Sequence, residues 1–200
     1  MLDVEGFILV GGASSRMGTD KSQLVINGQT TQKIVANALK PVTRRMRLVG
    51  SHAETDFENV PDLQDRWGPL GGIQAALHAC EAESCLIVAC DLPFVTNELF
   101  AVLLDVMSGL EFAPDAVVPV QGDGRPQPLC AVYRRTPCLR AADAAIAGGQ
   151  HTPRAMLDAI RVRYVQFETI APLPGSEHFF INLNRPEDYE LARKIGSEFY

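Results

Sequence analysis

The most constraining stretch of this chain is Cys85-Leu86-Ile87-Val88-Ala89, five apolar residues without a polar break, stopped almost at once by Asp91-Leu92-Pro93. A strand with one face in water alternates apolar and polar residues. A continuous run therefore has both faces covered, as in the centre of a parallel sheet. Residues 7–10 form a second such run, ending at Gly11-Gly12, and the pattern predicts further strands at 46–49, 116–120, 128–133, 162–167 and 179–181. Between them apolar residues recur at helical spacing over 31–39, 73–80, 98–107, 139–147, 156–160 and 187–195. Pro41 and Gly148-Gly149 stop two of these helices and Pro186 opens the last. This alternation predicts an α/β three-layer sandwich, Rossmann-like, with a mainly parallel (mixed) sheet whose ligands sit beyond the carboxyl ends of the strands. With no repeat or linker, the 200 residues are expected to form a single domain, 1–200.

A formal charge of -6 argues against a nucleic-acid or membrane-surface binder, which carries a basic face. Any anionic substrate must then be met by local positive charge. Five cysteines, an odd count without paired short spacing, fit a reduced compartment and read as buried thiols. Cys80, Cys85 and Cys90 recur every five residues, but on a helix, a turn and a strand that spacing is not expected to converge. The first residues lack the basic segment and long apolar run of a signal sequence, so the cytoplasm is the expected location. His52, His78, His151 and His178 form no i, i+4 pair of the helical zinc type. Ser14 and Ser15 lack the context of a hydrolase nucleophile.

The loop Gly11-Gly12-Ala13-Ser14-Ser15-Arg16-Met17-Gly18 leaves backbone N–H groups able to approach a phosphate, because glycines put no side chain in the way. Arg16 offers a fork for two phosphate oxygens and Lys21 a mobile point charge. Taken alone, the loop reads equally well as a turn with two solvated cations, and it matches neither GxxxxGK[ST] nor GxGxxG. Asp91 ends the most apolar strand, where a carboxylate can coordinate Mg²⁺ bridging substrate phosphates; the plainer alternative is a cap on the following turn. Asp62 and Asp65 by themselves read as solvated loop carboxylates. Asn182 and Asn184, two apart, are expected on one side of a strand, where an amide oxygen reaches a metal or a substrate; a turn before Pro186 is the alternative.

The segment LVGGASSRMGTDK resembles the signature L-x-G-G-x-S-x-R-M-G-x-D-K of the molybdenum cofactor guanylyltransferases, a family with the nucleotide-diphospho-sugar transferase-like fold. WGPLGGI, ACDLPF and NLNRPED resemble the family's G-P-L-x-G-I loop, C-D-x-P-F strand end and N-x-N-x-P-E-D close, in the same order. The resemblance implies that Leu9, Val10, Gly11 and Gly12 line the base and ribose, that Arg16 and Lys21 hold the phosphates, and that Asp91 is the metal aspartate. It implies a nucleotide-contacting aspartate ahead of G-P-L, placed on Asp62 with Asp65 as rival. It puts Gly50 or Ser51 where some members use an asparagine on the nucleotide. Asn182 becomes a second metal or substrate contact and Asn184 a helix-start or pocket residue. Gly124-Arg125-Pro126-Gln127-Pro128-Leu129 resembles the family's R-P-x-P-L stretch near the acceptor, so Arg125 and Gln127 are expected there, although a solvated turn arginine reads as well for Arg125.

The activity implied is transfer of GMP from GTP to molybdopterin, with Mg²⁺ and release of pyrophosphate, in a protein that meets others of the cofactor pathway. Glycine at position 11, where cytidylyl-transferring relatives carry alanine, favours guanine. The alternatives are a cytidylyl- or sugar-1-phosphate nucleotidyltransferase of the same fold, and a non-catalytic nucleotide-binding adaptor.

Overall fold

A computed structural model describes residues 2–10, 21–50, 57–63, 68–109 and 113–199. Seven strands form one sheet in the order β5-β4-β1-β6-β8-β7-β9: β1 (Val4–Leu9), β4 (Met46–Val49), β5 (Glu58–Val60), β6 (Ser84–Ala89), β7 (Ala116–Pro119), β8 (Cys130–Arg134) and β9 (Val162–Val165). Every pairing is parallel except those of β8, which runs against both β6 and β7. The run around residues 85–89 is the middle strand of the seven, and all six residues of β6 are buried.

Because side chains alternate across a strand, β6 feeds two cores. Leu86 and Val88, with Ile8 of β1, pack under α1 (Thr31–Leu39) and α3 (Asn97–Ser108). Cys85 and Ile87, with Phe7 and Leu9, pack under α2 (Gly68–Ala79), α4 (Arg135–Ala147) and α5 (Pro153–Leu157). These are the three layers expected. A third, smaller cluster joins Leu24, Ile26, Ile34, Phe94, Leu183 and Ala192. It seats the hairpin of β2 (Val25–Ile26) and β3 (Gln29–Thr30) and the helix α7 (Pro186–Phe199), while a short α6 (Phe167–Ile170) follows β9.

Four local expectations differ. The helix expected at 73–80 starts at Gly68 and takes in the Gly-Pro-Leu-Gly-Gly stretch read as loop. Pro69 is tolerated in a first turn, where no intrahelical N–H bond is lost. Gly72 lets α2 close on the end of β1, for a β-carbon there would stand 3.3 Å from Leu9 Cδ1. No strand forms at 179–181: a 3-10 turn over Ser176–His178 runs into a further turn closed by Ile181 N–H donating to His178 O at 3.0 Å. The strand expected to reach residue 167 ends at Val165, and Phe167 opens α6. Finally, Cys85 hydrogen-bonds the Cys80 thiol and holds it below its ordinary value, while burial pushes Cys85 up, so these two thiols do meet. All five cysteines are buried, and none is in a disulfide.

The amino end of the sheet carries a buried ionic network. Glu5, 1% exposed, accepts from Arg44 (2.9 Å), Arg47 (2.5 Å) and the backbone N–H of Glu81 (3.1 Å). Burial raises this carboxyl, but the Arg44, Glu81 and Arg47 hydrogen bonds outweigh it and leave it below the ordinary value. The network holds β1 against β4 and the α2–β6 turn, at the end opposite the carboxyl ends of the parallel strands.

Candidate active site

From β1 the chain steps outward to β4 and β5, then crosses back over β1 to add β6 on its other side. A doubly wound sheet opens a crevice at the carboxyl ends of the strands where its order reverses. Here that point lies between β1 and β6, where Cys90 N–H donates to Leu9 O at 3.0 Å. Val10 N–H donates to Val49 O and Gly50 N–H to Val60 O, both at 3.0 Å, so the ends of β1, β4 and β5 are locked side by side. Gly50 turns there with φ of 78°, a left-handed conformation suited to glycine.

Leu9 is buried and Val10 half-buried on this side of the crevice, and Asp62 stands exposed just past β5. Gly11, Gly12, Arg16 and the rival Asp65 lie outside the described residues. Lys21 is described by its backbone alone, opening a 3-10 turn over Lys21–Gln23 that packs on α1.

Asp91 follows β6 by two residues, and its carbonyl accepts from Leu183 N–H at 3.1 Å. This single backbone bond brings two segments 92 positions apart together and sets Asn182 beside the end of the central strand. The Asn182 side-chain carbonyl oxygen is buried and has no hydrogen-bond partner among the described residues. An unsatisfied buried acceptor costs about 1–3 kcal/mol. Carboxylate and amide oxygens are the donors a hard divalent cation takes, so these residues fit Mg²⁺. Among the described residues no group of three His, Cys, Asp or Glu side chains could hold a metal. Magnesium does not need one, since it characteristically keeps water and substrate phosphate in its shell.

Asn182 and Asn184 do not share one side of a strand, although their spacing predicts it. Asn184 N–H folds back to Asn182 O at 3.0 Å, a tight turn about Leu183 that breaks the two-residue alternation. Asn184 stands two residues ahead of α7. Asp188 in the first turn of α7 accepts from the N–H groups of Asn184 (3.0 Å) and Arg185 (2.8 Å), which satisfies donors a helix start leaves open.

On the far side of Asp91, Ala89 N–H donates to Leu129 O at 2.8 Å, so the 119–129 connection borders the crevice. Gln127 is fixed there: its N–H donates to Pro119 O at 2.9 Å and its amide to Gln121 Oε1 at 2.7 Å. Arg125 is not directed by the fold. Its side chain is 77% exposed at the loop tip, and Asp123 holds it by the backbone N–H (3.1 Å), Nε (2.7 Å) and a terminal nitrogen (2.6 Å). That pairing keeps the Asp123 carboxyl below its ordinary value. One end of the sheet thus gathers Leu9, Val10, Asp62, Asp91, Asn182, Asn184 and Gln127, and leaves Arg125 as a self-paired tip. The sequence reasoning passed over Arg185, although it sits inside the NLNRPED motif, exposed and without an ion pair among the described residues.

Residues 6–164 match the model of the MobA-like NTP transferase domain. The chain is 36% identical over 200 residues to a probable molybdenum cofactor guanylyltransferase of Pelotomaculum thermopropionicum, covering 98% of this chain and 95% of that protein. The structure of molybdopterin-guanine dinucleotide biosynthesis protein A from Archaeoglobus fulgidus superposes with a TM-score of 0.81 at 27% identity, over 97% of this chain and 99% of that one. The fold reaches further, to 2-C-methyl-D-erythritol 4-phosphate cytidylyltransferase from Thermus thermophilus, with a TM-score of 0.72 at 17% identity over 98% of this chain and the whole of the other. The chain is a nucleotidyltransferase with the nucleotide-diphospho-sugar transferase fold, and it belongs to the MobA-like NTP transferase family.

Proposed function

We propose that the protein transfers GMP from GTP to the phosphate of molybdopterin, with or without molybdenum, giving the guanine dinucleotide and pyrophosphate. The observation that carries this reading is the buried, unpartnered Asn182 oxygen beside Asp91, at the switch point of a nucleotidyltransferase sheet. In this reading Leu9, Val10, Gly11 and Gly12 receive base and ribose on the β1–β4–β5 side, with Asp62 as a further contact. Arg16 and Lys21 neutralise the triphosphate.

An acceptor phosphate oxygen attacks the α-phosphorus in line, the bond to the β-phosphate oxygen breaks, and pyrophosphate leaves. No covalent enzyme intermediate is needed, because the acceptor phosphate is largely ionised near neutral pH. The protein's work is alignment and charge neutralisation. Asp91 and Asn182 would hold Mg²⁺, which when bound supplies Lewis-acid stabilisation of the charge developing on the phosphates. In this reading Gln127, held by Gln121, meets the acceptor from the β8 side, while Arg125 stays paired with Asp123.

We further read the compartment as the cytoplasm, with proteins of the molybdenum cofactor pathway as recipients of the product. Five cysteines outside any disulfide support a reducing compartment, and no helix among the described residues is long and apolar enough to cross a membrane. The test is pyrophosphate release from GTP, CTP, UTP and ATP, each with Mg²⁺ and molybdopterin. The reading expects turnover with GTP. Turnover with CTP instead would move the protein to the cytidylyl branch of the fold, and binding without turnover to an adaptor.

A further inference from the structure

The loop-tip arginine is spent on Asp123, so the acceptor phosphate lacks the cation that the sequence put forward for it. At pH 7 a phosphomonoester carries about -1.5 to -2 charges, in a chain whose net charge is already -6. Arg16 and Lys21 are committed to the triphosphate in the reading above, on which this inference rests.

Arg185 is placed to answer that need. It lies two residues beyond Leu183, whose N–H is bonded to Asp91 O, so its α-carbon is within about 7 Å of that of Leu183. It is exposed and has no ion pair among the described residues, and its own N–H is bonded to Asp188. Its presence also runs against local helix preference. Arg185 directly precedes Pro186, the first residue of α7, where Ser, Thr, Asp or Asn is favoured and a cation opposes the helix dipole. The capping is done by Asp188 instead. An arginine that runs against its local rule, two residues from the segment bonded to Asp91, points to a role in the site.

We propose that the Arg185 guanidinium receives the phosphate of the pterin acceptor and presents it beside Asp91 and Asn182, while Arg125 remains paired with Asp123. An arginine fork can hold two phosphate oxygens and leave a third to attack, which a single lysine ammonium does less rigidly. Arg185 is thus a binding and orienting residue for the acceptor, with little part in holding GTP.

The test measures binding of molybdopterin and of its dephosphorylated pterin, by their own fluorescence, to the wild type and to Arg185→Ala, Arg185→Lys and Arg125→Ala. Binding of a fluorescent GTP analogue and melting temperature are followed in parallel. Arg185→Ala should weaken molybdopterin binding at least tenfold, leave the dephosphorylated pterin and the GTP analogue within twofold of wild type, and melt as wild type does. Arg185→Lys should recover part of the loss, and Arg125→Ala should bind within twofold of wild type. Unchanged molybdopterin binding in Arg185→Ala, an equal loss for the dephosphorylated pterin, or a loss confined to the GTP analogue each overturns the assignment. Wild-type turnover separates the two claims. Turnover with unchanged Arg185→Ala binding sinks Arg185 alone, whereas phosphate-dependent binding without turnover sinks guanylyl transfer and leaves Arg185 standing. A wild type that binds no pterin overturns both.

Discussion

Replacing Glu5 by glutamine keeps the shape of the side chain and removes its charge, which tests whether the ionic network at the amino end of the sheet holds β1 in place. The carboxylate accepts three kinds of donor: Arg44, Arg47 and the Glu81 N–H. An amide offers one accepting oxygen and turns an NH₂ group toward at least one of those donors. Removing one partner of a buried pair costs about 3–5 kcal/mol, mostly by leaving a charge buried and unpaired. Arg44, 48% exposed, can fall back on Asp3 at 3.0 Å, whereas Arg47, 6% exposed, keeps the Ala79 carbonyl, the face of the Phe7 ring at 4.9 Å and a distant Glu58 at 3.9 Å. The lower end, about 3 kcal/mol, is therefore expected, or about 6–12 °C in melting temperature for a domain of this size.

The pH dependence has a definite sign. Glu5 titrates below its ordinary value in the folded protein, so its contribution is complete above the unfolded value of about 4.5 and is lost as pH falls through the folded one. Thermal melts followed by circular dichroism should show a constant gap between wild type and Glu5→Gln from pH 6 to 8, closing below about pH 4.5. A gap under about 2 °C at pH 7, or one that widens in acid, would refute the reasoning.

Gly196→Ala should lower the melting temperature: a β-carbon there would lie more than about 1 Å inside normal contact with Ile26 Cγ2. Overpacking costs about 1–3 kcal/mol, less about 1 kcal/mol of helix propensity gained. In an Ile26→Ala background the penalty should vanish, which a double-mutant cycle of melts would read. Asn182→Ala removes a buried unpartnered oxygen and should melt no lower than wild type while losing at least about tenfold in kcat/KM, measured by pyrophosphate release. Lower stability together with full activity would make Asn182 a structural residue. Cys80, Cys85, Cys90, Cys130 and Cys138 should stay unreactive toward a thiol reagent in the native protein and titrate as five after unfolding; fast native labelling of any one contradicts its burial.

The legible parts of the fold were those with a strong local period and a clear stop. The helix before Pro41 and the strand at Met46–Val49 appear at the residues expected, and the apolar run at 85–89 is the sheet centre. What escaped has physical causes. Two-residue strands are too short to show alternation, so the β2–β3 hairpin was passed over, although Asn27-Gly28, both at positive φ, is the turn pair that two-residue hairpins favour. The start of α2 depends on Gly72 meeting Leu9, a contact across 63 positions that no local window carries. Nor does sequence pattern give strand direction, so the reversal of β8 was open. At the crevice, the place of Asp91 just past the central strand was readable from the apolar run before it; Asn182 stood out by its motif, while the placing of Asn182 and Asn184 on one strand face is overturned by the turn at Leu183. The pairing of Arg125 with Asp123 is local, but choosing it over a substrate contact requires knowing how exposed the loop tip is.

The most direct test of the account is to follow formation of the guanine dinucleotide by mass spectrometry, with GTP, Mg²⁺ and molybdopterin, for the wild type and for Asp91→Ala. The account predicts product from the wild type and a loss of at least about a hundredfold in the variant, with melting temperatures that agree. Equal product from both proteins would contradict it, because the crevice at Asp91 would then not be where the nucleotide is transferred.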